Sequence, residues 1–221
     1  MFEIIFSSSI SVKDKKVQVL SSVSASSHTN IKTVCVYCGS RMGKGREYEA
    51  LANKLGTLIA SNRMNLVYGA GSIGLMGVVA RAARDAGADV IGIIPEHLDA
   101  IEITQDGLTE LHVTRNMHER KKMMFDRSDA FVVLPGGLGT LDETLEIMTW
   151  AQLSLHKKPI ILLNHKNYWS PLIQLVDHVV KEGFAAEENA KLLQLAETAE
   201  EAVEILASAS AENAPSSSEL M

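Results

Sequence analysis

The stretch from Ala130 to Trp150, AFVVLPGGLGTLDETLEIMTW, constrains the fold more than any other part of the chain. Phe131 to Leu134 carry no polar side chain, as suits a strand covered on both faces in a parallel sheet. Pro135 ends the ladder, and Gly136, Gly137 and Gly139 let the backbone approach a ligand closely. A helix beginning at Thr140 then offers free N–H groups and its dipole to an anion, with a phosphate as the natural guest. Thr140 and Glu143 also have the T-x-x-E spacing of a capping box. Local spacing favours the cap for Glu143. The competing reading aims its carboxylate at whatever the loop holds.

The same alternation runs through the chain. Strands are predicted at Thr33–Tyr37, Asn65–Tyr68, Val90–Ile94, a short Leu111–Val113, and Pro159–Leu163. Helices are predicted at Glu47–Asn62, after Gly74, at Asn116–Arg127, Pro171–Val180 and Ala199–Ala207, with a loop over Glu96–Gly107. Strand–helix alternation implies an α/β fold, a Rossmann-like doubly wound parallel sheet in a single domain, here residues 31–207. Residues 1–30 hold nine serines and no sustained period, and read as a disordered extension outside the fold. Residues 208–221 read as a disordered Ser- and Ala-rich tail.

Composition removes several function classes. The 221 residues are 46% hydrophobic, enough for one α/β core. A net charge of −6 with scattered Lys and Arg excludes nucleic acid or an anionic membrane as main partner. No apolar run approaches the ~20 residues that span a bilayer. Glu3 sits where a signal peptide needs positive charge, and no Arg precedes Arg41, so no secretory or organelle leader is predicted. The only cysteines are Cys35 and Cys38, which fits a reducing, cytoplasmic setting. Three residues apart on a strand, their sulfurs diverge, and no second pair completes a metal site. His118-Glu119 is not a zinc peptidase motif, because position 122 is Lys. No metal is predicted. Gly69 to Gly74 form a G-x-G-x-x-G, but Asp89 precedes the next strand and Glu96 follows Pro95, so the acidic partner of a dinucleotide site is missing. The motif reads as a tight strand-to-helix turn, and no cofactor is predicted.

Topology gathers the remaining features. In a parallel doubly wound sheet every strand-to-helix loop leaves from the carboxyl edge, where ligands bind. Ser40, the Gly69–Gly74 turn, Glu102, the start of the Asn116 helix and the Gly136–Glu143 segment all belong to that edge. Arg120 and Lys121, in the first turns of their helix, come within reach of Glu143. That placement weakens both the solvated-face reading of the basic run and the cap reading of Glu143.

Pro135-Gly136-Gly137-Leu138-Gly139-Thr140-Leu141-Asp142-Glu143 resembles the PGGxGTxxE motif, and Met117-His118-Glu119-Arg120-Lys121 the MHxRK segment, of the Lonely Guy (LOG) family. Cys38-Gly39-Ser40, Val67-Tyr68-Gly69, Gly71 to Gly77, Glu102-Ile103-Thr104 and Thr149 to Leu153 extend the likeness over roughly 33–184. Ala70, Arg41 and Met42 depart from it: the family often has glycine at the first position and small or hydroxyl residues at the others. The resemblance implies hydrolysis of the N-glycosidic bond of an N6-modified adenosine 5′-monophosphate, releasing free cytokinin base and ribose 5-phosphate. It implies Arg120 and Glu143 as catalytic residues. Glu102, Met117, Lys121, Gly136, Gly137, Leu138, Gly139, Thr140 and Thr149 would bind substrate, in a homodimer without cofactor. The chemistry is consistent: a carboxylate stabilises the oxocarbenium-like sugar and orients water, while a guanidinium supports the leaving purine or the phosphate. Two other readings remain. One is a broader nucleosidase of AMP and other nucleoside monophosphates; the other is a non-catalytic nucleotide or molybdenum-cofactor carrier. Related proteins have been labelled lysine decarboxylases, but no lysine stands out as a Schiff-base site.

Overall fold

Short runs of Val, Ile and Leu can bury both faces of a strand only inside a sheet layered by helices. In the computed structural model, which describes residues 31–99 and 106–212, the runs are β1 (Thr33–Tyr37), β2 (Asn65–Tyr68), β3 (Val90–Pro95), β4 (Glu110–Thr114), β5 (Ala130–Val133), β6 (Ile160–Leu163) and β7 (Leu193–Ala196). Every pairing is parallel, in the order β4-β3-β2-β1-β5-β6-β7. The chain builds outward from β1 to β4, crosses back, and continues on the other side of β1 with β5 to β7. This is the Rossmann-like doubly wound α/β domain that the alternation predicts.

The helices are α1 (Arg46–Ser61), α2 (Gly74–Asp85), a single turn α3 (Glu96–Asp99), α4 (Met117–Asp126), α5 (Leu138–Gln152), α6 (Ser170–Lys181) and α7 (Ala199–Glu212). They bury two cores, one on each sheet face. Val34, Val36 and Tyr68 pack with α1, α2 and α7. Tyr37, Val67 and Phe131 pack with α4, α5 and α6. Cys35 belongs to the second core and Cys38 to the first, so the two thiols face apart as the strand period requires. Both are free and buried.

Three features differ from the sequence expectation. β7 is new: LQLA has no β-branched residue and lies at the sheet edge, where only Leu193 and Ala196 are buried. The segment after β3 begins with α3 instead of a loop, and α7 continues beyond Ser208 to Glu212. α5 starts at Leu138 rather than Thr140, with Gly137 at the N-cap and no side-chain cap bond. Thr140 is therefore at the third helical position, and the Thr140–Glu143 capping box does not form. The 1–30 extension, Glu102 and the last nine residues, 213–221, lie outside the described residues. Among the described residues no helix is long and apolar enough to cross a membrane.

Candidate active site

The winding reverses direction between β1 and β5, and the loops that follow these two strands diverge there, opening the crevice where doubly wound folds hold ligands. The Gly39 N–H donates to the Pro135 carbonyl at 3.1 Å and the Leu75 N–H to the Gly39 carbonyl at 3.0 Å, tying three loops into one rim. Gly74 sits under this rim at φ +61, and a Cβ there would overlap the Ser40 backbone. A cleft of about 260 Å³ opens below, lined by residues that include Cys38, Ser40, Gly69, Met117, Arg120, Gly137 to Thr140 and Glu143.

α5 delivers Glu143 and α4 delivers Arg120 to the floor of this cleft. Asn116 caps α4, its side chain accepting the Glu119 N–H at 3.0 Å, while Glu119 accepts the Arg115 N–H at 3.1 Å. That fixed entry sets Arg120 one turn into the helix. Its Nε donates to the Ile93 carbonyl at 3.1 Å, Nη2 to the Gly69 carbonyl at 3.4 Å, and Nη1 to Glu143 Oε1 at 3.3 Å. The guanidinium thus joins the ends of β2 and β3 to α5. The side chains of Arg120 and Glu143 are only 8% and 10% exposed. Burial raises the Glu143 pKa to about 7; Arg120 and Lys121 oppose the rise, and Asp142 and Glu146 add to it. A carboxyl poised near neutrality in a cleft is the usual state of a general base or acid. Burial also raises the Tyr37 hydroxyl and the Cys38 thiol far above their ordinary values, so both stay protonated.

The glycine loop faces the same space. Gly137 and Gly139 are exposed, and a Cβ on either would meet nothing within 4 Å. Thr140 is buried, its hydroxyl against Gly136. With no side-chain cap, the first N–H groups of α5 are open to an anion. Leu138, strongly exposed, separates the cleft from a second cavity of about 550 Å³ walled by Arg41, Met42, Tyr48, Leu75 and Tyr168.

Of the residues singled out from sequence, Arg120, Glu143, Met117, Gly137, Leu138, Gly139 and Thr140 line this cleft, and Gly136 lines the neighbouring cavity. Lys121 lies beside them, outside the cleft lining, with Nζ 3.1 Å from both Asp142 Oδ2 and Glu146 Oε1. Thr149 is exposed and bonded to the Leu145 carbonyl at 2.7 Å. It stands about 13 Å along α5 from Thr140, at 1.5 Å per residue. Tyr168 was not anticipated: its hydroxyl donates to the Gly136 carbonyl at 2.6 Å and steadies the glycine loop. It follows β6 at the carboxyl edge, so the edge rule that gathered the other residues could have found it. Met76, from α2, lines the cleft as well.

The family profile described as possible lysine decarboxylase matches residues 76–206. A cytokinin riboside 5′-monophosphate phosphoribohydrolase of Rhodococcoides fascians is 47% identical over 163 residues, 73% of this chain and 82% of that protein. One of Oryza sativa subsp. japonica is 45% identical over 175 residues, 79% of this chain and 72% of that protein. Among solved structures, the molybdenum cofactor binding protein of Rippkaea orientalis superposes with a TM-score of 0.62 at 22% identity, covering 81% of this chain and 98% of that one. The Moco carrier protein of Chlamydomonas reinhardtii does so with a TM-score of 0.60 at 21% identity, covering 80% and 98%. At such identities the structural matches speak for the fold alone.

Proposed function

The chain belongs to the family described as possible lysine decarboxylase, which includes the cytokinin riboside 5′-monophosphate phosphoribohydrolases, and from that premise we propose that it hydrolyses N6-modified adenosine 5′-monophosphates to free cytokinin base and ribose 5-phosphate. The observation that carries this reading is the buried Arg120–Glu143 pair on the floor of a cleft rimmed by an uncapped, glycine-rich helix start.

The 5′-phosphate sits on the α5 N-terminus, on the N–H groups of Gly137 to Thr140, and its binding energy fixes the sugar over Glu143. As the C1′–N9 bond lengthens, its electron pair leaves with the purine and positive charge builds on the ribose. The Glu143 carboxylate stabilises that charge, then accepts a proton from the water whose oxygen bonds to C1′. The purine takes a proton from solvent as it leaves. Arg120 holds Glu143 in place, its Nη1 also donating to Met117 Sδ at 3.9 Å, and the second N–H of Nη2 is directed to the electron-rich purine. A decarboxylase would need a lysine amine free to form a Schiff base; Lys121, deep beside the site, is held charged by Asp142 and Glu146.

We further infer a cytoplasmic homodimer, supported by two buried free thiols and by exposed apolar side chains on one side of the fold, among them Leu138, Leu145 and Leu175. Glu102 and Thr149 would act as further substrate contacts in that assembly. The test of activity is incubation with isopentenyl-AMP, AMP, GMP, CMP and the corresponding ribosides, with free base measured by chromatography. Release from isopentenyl-AMP well above AMP, and none from ribosides, supports the reading. Equal or faster release from AMP replaces it with a general nucleosidase, and binding without release replaces it with a carrier.

A further inference from the structure

The resemblance casts Lys121 as a substrate ligand, but its surroundings point elsewhere. We propose that Lys121 is a positioning residue: by bridging Asp142 and Glu146 it clamps α5 to α4 and balances the charge beside Glu143. The proposal rests on the hydrolytic role assigned to Glu143 above.

Neighbouring positions on a helix point about 100° apart. Arg120 therefore enters the cleft, while Lys121 turns towards the flank of α5. There Nζ stands 3.1 Å from Asp142 Oδ2 and 3.1 Å from Glu146 Oε1, with its side chain only 10% exposed. Asp142 precedes Glu143 by one residue and Glu146 follows it by three, so the two acids, four apart, share one face of α5 immediately beside the proposed base. A phosphate dianion approaching Lys121 would have to approach both acids, and one ammonium between two carboxylates leaves the cluster net negative. The amine is thus occupied and screened from an anion, whereas the α5 N–H groups are open.

Removing the ammonium would leave two uncompensated carboxylates beside Glu143, making its ionised form harder to reach. The other groups facing Glu143 do not take over this balance. Arg120 from α4 is already bonded to it, and Cys35 and Tyr37 from β1 and Cys38 just after it stay protonated and uncharged in their buried setting.

The experiment compares pH–rate profiles of wild type, Lys121→Met, Lys121→Arg, Glu146→Gln and Lys121→Met/Glu146→Gln on isopentenyl-AMP, whose own phosphate ionisation is common to all. Lys121→Met moves the acidic limb up by roughly half a unit to one unit, which lowers kcat at pH 7 by about two- to fivefold, and leaves KM within about threefold. The double variant, which restores the charge balance, moves the limb back towards wild type, and Lys121→Arg retains most of kcat. Glu146→Gln alone moves the limb down, which keeps the proposal testable if Lys121→Met does not fold. A KM rise of about tenfold with an unmoved limb makes Lys121 a phosphate ligand and overturns the proposal. So does an unmoved limb in Glu146→Gln. A wild type that releases no base overturns the hydrolytic reading itself, whereas an active wild type with unmoved limbs overturns only the role given to Lys121.

Discussion

The Arg120 guanidinium rests directly on Gly69: Nη2 donates to the Gly69 carbonyl at 3.4 Å and fills the space where a Cβ on that residue would stand. Gly69→Ala therefore displaces the arginine without changing it. A misplacement of about 1 Å at a reacting centre costs on the order of a hundredfold in rate. Gly69→Ala is expected to lose kcat by about that factor with its circular dichroism spectrum intact. An alanine variant with wild-type kcat would mean that Arg120 needs no fixed position.

The role proposed for Glu143 predicts the pH dependence of the rate. Its pKa is raised to about 7, chiefly by burial, and its proposed role needs the ionised form. Activity should then rise through about pH 7 and level off above, and Glu143→Gln should abolish base release. A rate that falls as pH rises through 7 would instead make Glu143 the proton donor to the purine.

The same shift makes a stability prediction. The folded state holds the Glu143 proton up to about pH 7, whereas the ordinary glutamate value is 4.5. Between these values the unfolded chain has already ionised, so stability falls as pH rises from about 4.5 to about 7 and stays low above. Glu143→Gln removes this loss. This variant should be more stable than wild type at pH 8, by about 3 kcal/mol, with the difference vanishing near pH 4. Urea denaturation at the two pH values measures it.

How far the sequence carried the site depends on the kind of feature. Buried β-branched runs such as Phe131–Val133 and the glycine turns announce themselves locally, so six of the seven strands and the carboxyl-edge rim could be read directly. β7 could not, because LQLA at an edge has neither the period nor the residue types of a buried strand. Glu143 illustrates a subtler limit. Its spacing from Thr140 matches a cap, but the backbone enters α5 two residues earlier, a difference of half a turn that changes which residue can cap. Lys121 and Tyr168 depend on partners 21 and 32 residues away, beyond the reach of any local pattern.

Ala70 tests the one departure from the family pattern that bears on the backbone. It stands at φ +64, a conformation that costs an L-residue about 1–2 kcal/mol. Ala70→Gly relieves that strain but adds unfolded-state entropy and loses a buried methyl, each worth up to about 1 kcal/mol. The substitution should leave stability within about 1 kcal/mol of wild type. Gly74→Ala, at φ +61 and overlapping the Ser40 backbone, should cost more than about 2 kcal/mol. Equal costs at the two sites in urea titrations would contradict this account of the rim.

Tyr168 offers the cleanest separation of phosphate binding from chemistry. It is presented by Lys166 at φ 53 and Asn167 at φ 59, two consecutive left-handed residues that glycine would adopt more readily. That arrangement is held from outside by the Lys166 ion pair to Glu47 at 2.9 Å and by the edge of the Tyr48 ring against Tyr168. Its product is the 2.6 Å bond from the Tyr168 hydroxyl to the Gly136 carbonyl, which keeps that oxygen engaged away from an incoming anion. Tyr168→Phe retains the ring and loses the bond, worth about 1 kcal/mol. The glycine loop should then hold the 5′-phosphate less firmly, raising KM for the monophosphate by roughly fivefold while kcat changes little, since Arg120 and Glu143 are untouched. Asn167→Gly, which relaxes the turn but keeps the hydroxyl, should leave KM near wild type. A Tyr168→Phe variant that loses kcat at unchanged KM would assign the hydroxyl to the chemical step and remove it from the phosphate loop.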